Sequence, residues 1–108
     1  MEFIKTTIAQ NPVVIFGKSY CPFCIKAVRF ISNVTKGKYL NIDLDKYVCS
    51  KVLKCRREDG PVIQAALYEM TGRRTVPNVF IHGKSVGGGD DTERLFYSGE
   101  LAEMVRDI

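Results

Sequence analysis

Two cysteines separated by two residues form the strongest chemical signal in this sequence. Cys21 and Cys24 enclose Pro22 and Phe23, and they stand between a short apolar run and a segment with helical periodicity. A Cys-x-x-Cys pair that follows a strand and opens a helix is typical of a thiol–disulfide redox site. Free backbone N–H groups and the positive end of the helix dipole favour a thiolate at such a position. The spacing therefore predicts that Cys21 is the nucleophile.

The second cysteine has a different predicted role. Cys24 lies one helical turn after Cys21, close enough to attack a mixed disulfide formed on Cys21 and to release its partner. Pro22 suits the first position of a helix, because its missing N–H has no partner to lose there. Lys18, three residues before Cys21, adds positive charge near the sulfur. We expect an enzyme that exchanges disulfides through Cys21 and resolves them through Cys24.

A second interpretation makes these two cysteines half of a zinc site. Cys49, Cys55 and His82 offer further ligands of the types that zinc prefers. Structural zinc ligands usually come as matched, closely spaced pairs, whereas five residues separate Cys49 from Cys55. The place of the first pair between a strand and a helix favours redox chemistry, and we expect no bound metal.

Length and charge limit the classes to which the chain can belong. Its 108 residues suit one domain with a modest core. The net charge is +4, with no Trp and no basic stripe interleaved with aromatic residues, so we expect no nucleic-acid partner. Residues 1–5 do not resemble an export signal, and apolar runs such as 13–16 are too short to span a bilayer. We therefore expect no membrane association and a cytoplasmic location, where cysteines stay reduced.

The elements that must position Cys21 follow from the hydrophobic periodicity. Helices are predicted at 2–10, 22–35, 61–72 and from 92 to the end; strands are predicted at 13–16, 39–44, 79–81 and 84–86. Residues 45–60 are charged and mixed, and they predict an irregular insert or a short helix. His82-Gly83 is a two-residue turn signal for an antiparallel hairpin. The order predicts an α/β fold with a four-stranded mixed sheet and helices on both faces.

Three segments together resemble the glutaredoxin family, over almost the whole chain. Residues 18–24 are similar to the active-site motif of its dithiol class, 71–77 to its T-V-P segment and 87–91 to its G-G-x-D-D loop. Thioredoxins share the fold but carry Trp before the first cysteine, and this chain has no Trp. The resemblance implies a single domain over residues 1–108 with the thioredoxin fold.

The resemblance also implies a groove for glutathione. Lys18 and Gln64 would hold the glycine carboxylate, with Arg74 as a second cation. The Val76–Pro77 bond would be cis, which exposes the backbone of Val76 for pairing with the tripeptide like a short antiparallel strand.

The other end of the groove would receive the γ-glutamyl group. The resemblance assigns Asp90 and Asp91 to this end, where a carboxylate pairs with the ammonium group and backbone N–H groups at a helix start bind the carboxylate. One of the two aspartates is also expected to cap the last helix. The remaining contacts implied are Tyr20, Phe23, Thr75, Pro77 and Gly88.

The activity implied is glutathione-dependent thiol–disulfide exchange by a monomer. Cys21 alone would reduce glutathione mixed disulfides, and Cys21 with Cys24 would reduce protein disulfides, while glutathione reductase and NADPH recycle the oxidised glutathione. Some members of the family instead carry a glutathione-ligated [2Fe–2S] cluster between two protomers, more often with Gly or Ser where Pro22 stands. A thioredoxin-like reductase fed by its own flavoprotein is a further alternative, which glutathione dependence separates.

One segment departs from the family pattern. The connection from Asp43 to Gln64 is longer than usual, and the predicted insert covers about residues 45–58, with an extra cysteine pair and a basic cluster. A regulatory disulfide, a partner-docking surface and a neutral loop are all compatible with it, since surface loops tolerate insertion. If Cys49 and Cys55 lay on one helix, their Cα atoms would be too far apart for a disulfide between them.

Overall fold

A four-stranded mixed sheet in the order β2-β1-β5-β6 forms the centre of the molecule. The computed structural model describes residues 2–44, 48–49, 54–55, 60–73 and 75–107. The elements in chain order are α1 (Glu2–Gln10), β1 (Val13–Gly17), α2 (Pro22–Thr35), β2 (Leu40–Asp43), β3 (Val48–Cys49), β4 (Lys54–Cys55), α3 (Gly60–Thr71), β5 (Asn78–Ile81), β6 (Lys84–Gly87), α4 (Gly89–Ser98) and α5 (Glu100–Met104). The predicted mixed sheet with flanking helices is confirmed.

Strand β1 is the central strand because every one of its residues is apolar or glycine. It pairs in parallel with β2 and antiparallel with β5, and all five residues are buried. A strand buried on both faces reads as a continuous apolar run, which Val13–Gly17 shows. β6 completes the sheet through a tight hairpin in which His82 and Gly83 both adopt positive φ, at 51° and 81°. Two positive-φ residues define the turn that the sequence predicts here.

The alternation of side chains along β1 divides the core into two halves. Val14 and Phe16 face α1 and α3, and Val13 and Ile15 face α2, α4 and α5. The first half also contains Ile4, Ile42, Leu44, Ile63, Leu67 and Phe80, and the second also contains Ala27, Ile31, Val79, Ile81, Leu101 and Val105. These two layers fix α2, and therefore Cys21 at its start, against the sheet.

The last predicted helix is wrong in two details. It begins at Gly89 rather than Thr92, and it is broken at Gly99, where φ is 85°. The earlier start is stabilised because the Asp91 carboxylate accepts a hydrogen bond from the Gly88 N–H, which caps the first turn. The break follows from glycine's tolerance of the left-handed conformation that ends a helix.

The segment between β2 and α3 contains a small antiparallel strand pair. Val48 is opposite Cys55 and Cys49 is opposite Lys54. The expected alternative of a short helix is therefore wrong for these four residues. Aromatic and β-branched residues such as Tyr47 and Val48 favour strands over helices, which gives the physical reason. The side chains of the two cysteines, and most of the expected insert at 45–58, lie outside the described residues.

No helix within the described ranges is long and apolar enough to cross a bilayer.

Candidate functional site

Cys21 occupies the N-cap position of α2. Its φ and ψ of −82° and 119° are extended, while its carbonyl accepts the first helical hydrogen bond from the Ile25 N–H at 3.0 Å. Its thiol is free and partly exposed. Pro22 stands at the start of the helix, as the sequence predicts. The structure therefore places an accessible sulfur at the end of a helix where backbone N–H groups have no helical partner.

Cys24 is in the opposite environment. It is also a free thiol, but only 4% of its surface is exposed. The backbone N–H of Lys18 lies 3.4 Å from its Sγ and donates to it. Burial, followed by a hydrogen bond to the Cys21 sulfur, raises the pKa of Cys24 to about 12. Cys24 is therefore a protonated thiol at neutral pH, in contact with the sulfur that it would have to attack.

A groove of about 500 Å³ begins at Phe23, two residues after Cys21. One wall is the loop that leads into β5, in which the Val76–Pro77 bond is cis, as the resemblance implies. The opposite wall is the start of α4. The lining residues are Phe23, Arg73, Thr75, Val76, Pro77, Gly88, Gly89, Asp90 and Asp91.

The absence of a side chain at Gly89 lets the start of α4 approach α2. A Cβ there would lie 2.9 Å from the carbonyl oxygen of Phe23, closer than such atoms are found in proteins. This contact joins the groove wall to the active-site motif.

Asp91 is fixed at the inner end of the groove by three hydrogen bonds. Its Oδ2 accepts from the Gly88 N–H and from Arg73, each at 3.0 Å, and its Oδ1 accepts from Arg94 at 2.8 Å. The Gly88 hydrogen bond first, then Arg94, lowers the pKa of the Asp91 carboxyl below its ordinary value. Asp91 is therefore an ionised capping residue as well as part of the groove lining.

Asp90 lies at the outer rim, with 78% of its side chain exposed. Its Oδ1 is 3.2 Å from the Nζ of Lys26, which also pairs with Glu93. Glu93 first, then Asp90, raises the pKa of Lys26. These ion pairs join α2 to α4, and they place charges of both signs next to Phe23 in the groove lining.

Arg73 and Lys26 are the site residues that the sequence did not identify. The cation that the resemblance implies is Arg74, which lies outside the described residues, and Arg73 donates to Asp91 in the groove lining. Two adjacent arginines in a segment without periodicity carry no signal that separates them. Lys26 could have been found from its position two residues after Cys24 on the predicted helix.

Three predicted glutathione contacts do not line the groove. Lys18 lines a separate cavity beside Cys24, because the loop after β1 places it on that side of the motif. Gln64 is half-buried on α3, and Tyr20 is 69% exposed before the helix begins. Their role in glutathione binding stays a prediction.

Within the ranges that the structure describes, no group of three or more His, Cys, Asp or Glu side chains could hold a metal ion. The zinc hypothesis also involves the side chains of Cys49 and Cys55, which those ranges leave out.

Comparison with known proteins gives one family. The sequence profile of the family Glutaredoxin matches residues 13–86. The chain is 46% identical over 104 residues to glutaredoxin-C4 of Arabidopsis thaliana. The aligned region covers 96% of this chain and 69% of that protein.

Solved structures agree. Oxidised glutaredoxin 2 of Chlamydomonas reinhardtii superposes with a TM-score of 0.85 at 36% identity, over 98% of this chain and 90% of the other. The glutaredoxin–glutathione complex of buckwheat gives 0.82 at 35% identity, over 98% and 86% of the two chains. With an exposed thiol at a helix start, a buried partner one turn later and a groove beside them, the chain belongs to the glutaredoxin family of thiol oxidoreductases.

Proposed function

We propose that this protein is a glutathione-dependent thiol–disulfide oxidoreductase in which Cys21 reduces glutathione mixed disulfides. The observation that carries the proposal is the partly exposed Cys21 thiol at the start of α2, next to a groove of about 500 Å³. The buckwheat relative, with the same fold, is a complex with glutathione.

The groove suits an extended tripeptide with charges at both ends. The loop before the cis-proline offers backbone groups of Val76 for strand-like pairing. Arg73 and Lys26 provide positive charge for carboxylates, and Asp90 provides negative charge for an ammonium group. These groups support binding of glutathione along the groove, with its sulfur towards Cys21.

The mixed-disulfide reaction needs Cys21 alone. The Cys21 thiolate attacks the glutathione sulfur of a glutathionylated protein, a bond forms between the two sulfurs, and the protein thiolate leaves. A second glutathione then attacks the mixed disulfide, which restores Cys21 and releases glutathione disulfide. Glutathione reductase with NADPH would recycle that product.

Protein disulfides require the second cysteine. Cys21 attacks one substrate sulfur, and Cys24 then attacks Cys21 and releases the reduced substrate. The hydrogen bond between the two thiols supports this route, because it places the Cys24 sulfur beside the sulfur that it would attack. Pro22, where cluster carriers of the family more often have Gly or Ser, favours the redox function over a [2Fe–2S] carrier.

The test is NADPH consumption coupled through glutathione reductase, with a small glutathione mixed disulfide as substrate. Cys21→Ser should abolish turnover, and Cys24→Ser should retain it but lose the reduction of protein disulfides. Folded protein without turnover would refute the proposal. A brown, dimeric protein after anaerobic purification would instead support the cluster carrier.

A further inference from the structure

A second cavity beside Cys24 contains a carboxylate to which the proposed function gives no role. The cavity has a volume of about 180 Å³ and shares no lining residue with the groove. Its polar lining includes Lys18, Asn41 and Asp43, and the buried Cys24 lies against it. A space of this size can hold several waters, each of which occupies about 30 Å³ in the liquid.

The sheet register places Asp43 next to Cys24. Asp43 is the last residue of β2 and is opposite Gly17, the last residue of β1. Gly17 is in turn so close to Cys24 that a Cβ on it would be 3.0 Å from the Cys24 Sγ. The Asn41 side chain donates to Oδ1 of Asp43 at 3.3 Å and orients the half-buried carboxylate.

The resolving step needs a proton acceptor at this place. Burial first, and the negative charge of Asp43 as a smaller cause, raise the pKa of the Cys24 thiol, and neither cause requires a free Cys21 thiol. While Cys21 is held in a mixed disulfide, its sulfur is not a base. Lys18 lines the cavity as a cation, so Asp43 is the one carboxylate among the described residues around it.

We propose that Asp43 accepts the Cys24 proton, through water in this cavity, as Cys24 attacks the mixed disulfide on Cys21. The inference rests on the dithiol route of the proposed function. The Cys24–Cys21 bond forms, the bond from Cys21 to the substrate sulfur breaks, and its electron pair leaves with the substrate thiolate. The two cysteines are oxidised and the substrate is reduced. The proton on Asp43 then returns to solvent or to the leaving thiolate.

The same carboxylate explains why the transfer is timed with the attack. Ionised Asp43 opposes a thiolate on Cys24, but protonation of Asp43 removes that opposition. The Lys18 N–H, 3.4 Å from Sγ, stabilises the charge that develops on the attacking sulfur. The titratable or charged groups around Cys24 in the described chain are thus Cys21 on its own helix, Lys18 after β1 and Asp43 on β2.

The experiment follows the two steps by stopped flow with an aromatic disulfide that releases a coloured thiolate. All variants carry Cys49→Ser and Cys55→Ser, so that the first release reports attack by Cys21 and the second reports resolution by Cys24. In Asp43→Asn the first release should be unchanged. The second should slow by roughly tenfold or more. Some resolution should remain, because water still accepts protons from Cys24.

The direction of the change separates proton transfer from electrostatics. Asp43→Asn removes a negative charge that raises the pKa of Cys24, so a purely electrostatic role predicts a faster second release. An unchanged or faster second release would overturn the inference.

Two further variants complete the design. Asp43→Glu keeps a carboxylate and should restore part of the rate of the second release. Asn41→Ala removes the hydrogen-bond donor to Asp43 but keeps the Asp43 carboxylate as the proton acceptor. If Asp43→Asn fails to fold, Asp43→Ser also removes the carboxylate and should slow the second release in the same way. A missing second release in wild-type protein would overturn both the dithiol route and this inference. A normal wild-type second release with no effect of Asp43 variants would overturn the inference alone.

Discussion

Two glycines allow neighbouring elements to pack closely against the start of α2, one on each side of the cysteine motif. On the groove side, Gly89 of α4 lies against the backbone of Phe23; on the cavity side, Gly17 of β1 lies against the side chain of Cys24. The first contact leaves an open, charged groove next to Cys21, and the second buries Cys24 in a small cavity. One helix end thus holds one partly exposed thiol and one buried thiol because its two flanks differ in exposure and charge.

The groove side should be the more sensitive of the two to a single added methyl group. In Gly89→Ala the new Cβ meets a carbonyl oxygen of the backbone, which cannot rotate away, so α4 must move from α2. We expect a loss of about 2–3 kcal/mol in the free energy of unfolding, within the usual range for overpacking. Urea denaturation measures this loss, and the KM for a glutathione mixed disulfide should rise with it.

The exposed Glu100→Ala change is the matched control and should alter stability by no more than about 0.5 kcal/mol. If Gly89→Ala is as stable as the wild type, the close contact between α4 and α2 does not fix the groove.

The cavity side should show a smaller loss of stability with a different functional effect. In Gly17→Ala the new Cβ meets the Sγ and Cβ of Cys24, at 3.0 and 3.1 Å. A side chain gives way more easily than backbone, so we expect a loss of about 1–2 kcal/mol. Resolution by Cys24 should slow, while turnover of mixed disulfides through Cys21 continues.

A double-mutant cycle with Cys24→Ala tests the contact directly, since the cost of Gly17→Ala should fall when the sulfur is removed. Equal costs in both backgrounds would mean that the sulfur of Cys24 does not limit the space at Gly17.

The sequence predicts the elements around the cysteine motif better than it predicts which residues lie on each side of it. β1, α2 and the place of the two cysteines at the start of α2 depend on local signals, namely an apolar run, a helical period and a proline at a helix start. The side of the motif on which Lys18 lies depends on the path of a short loop, and no periodicity describes it. The same holds for Arg73, because the segment between α3 and β5 is irregular.

The early start of α4 is a third case of this kind. Glycine has low helix propensity, so Gly87-Gly88-Gly89 predicts a break rather than a helix. Tertiary contacts decide otherwise: the space beside Phe23 requires glycine at position 89, and Asp91 caps the first turn from within the helix. A pattern of single residues contains neither contact.

Loss of the Asp91 cap should reduce the free energy of unfolding less than either glycine substitution does. Asp91→Ala removes the acceptor of the Gly88 N–H and the partner of Arg73, and it should cost about 1 kcal/mol, as loss of a helix cap usually does. Asp91→Asn keeps an oxygen acceptor and should cost less. Urea denaturation at neutral pH ranks the two variants, and the reverse ranking would show that an oxygen acceptor at position 91 does not stabilise the cap.

The pH dependence of this loss follows from the lowered pKa of Asp91. The Gly88 N–H and the Arg94 guanidinium hold the pKa of the folded carboxyl below its ordinary value of 3.8. A carboxyl with a lower pKa in the folded state stabilises the protein fully above the unfolded pKa, and this contribution is lost as the pH falls through the folded pKa. The stability difference between wild type and Asp91→Asn should therefore be constant near neutrality and shrink as the pH falls below 3.8 and through the lower pKa of the folded carboxyl. A difference that persists at the acid end would assign the effect of Asp91 to its shape rather than to its charge.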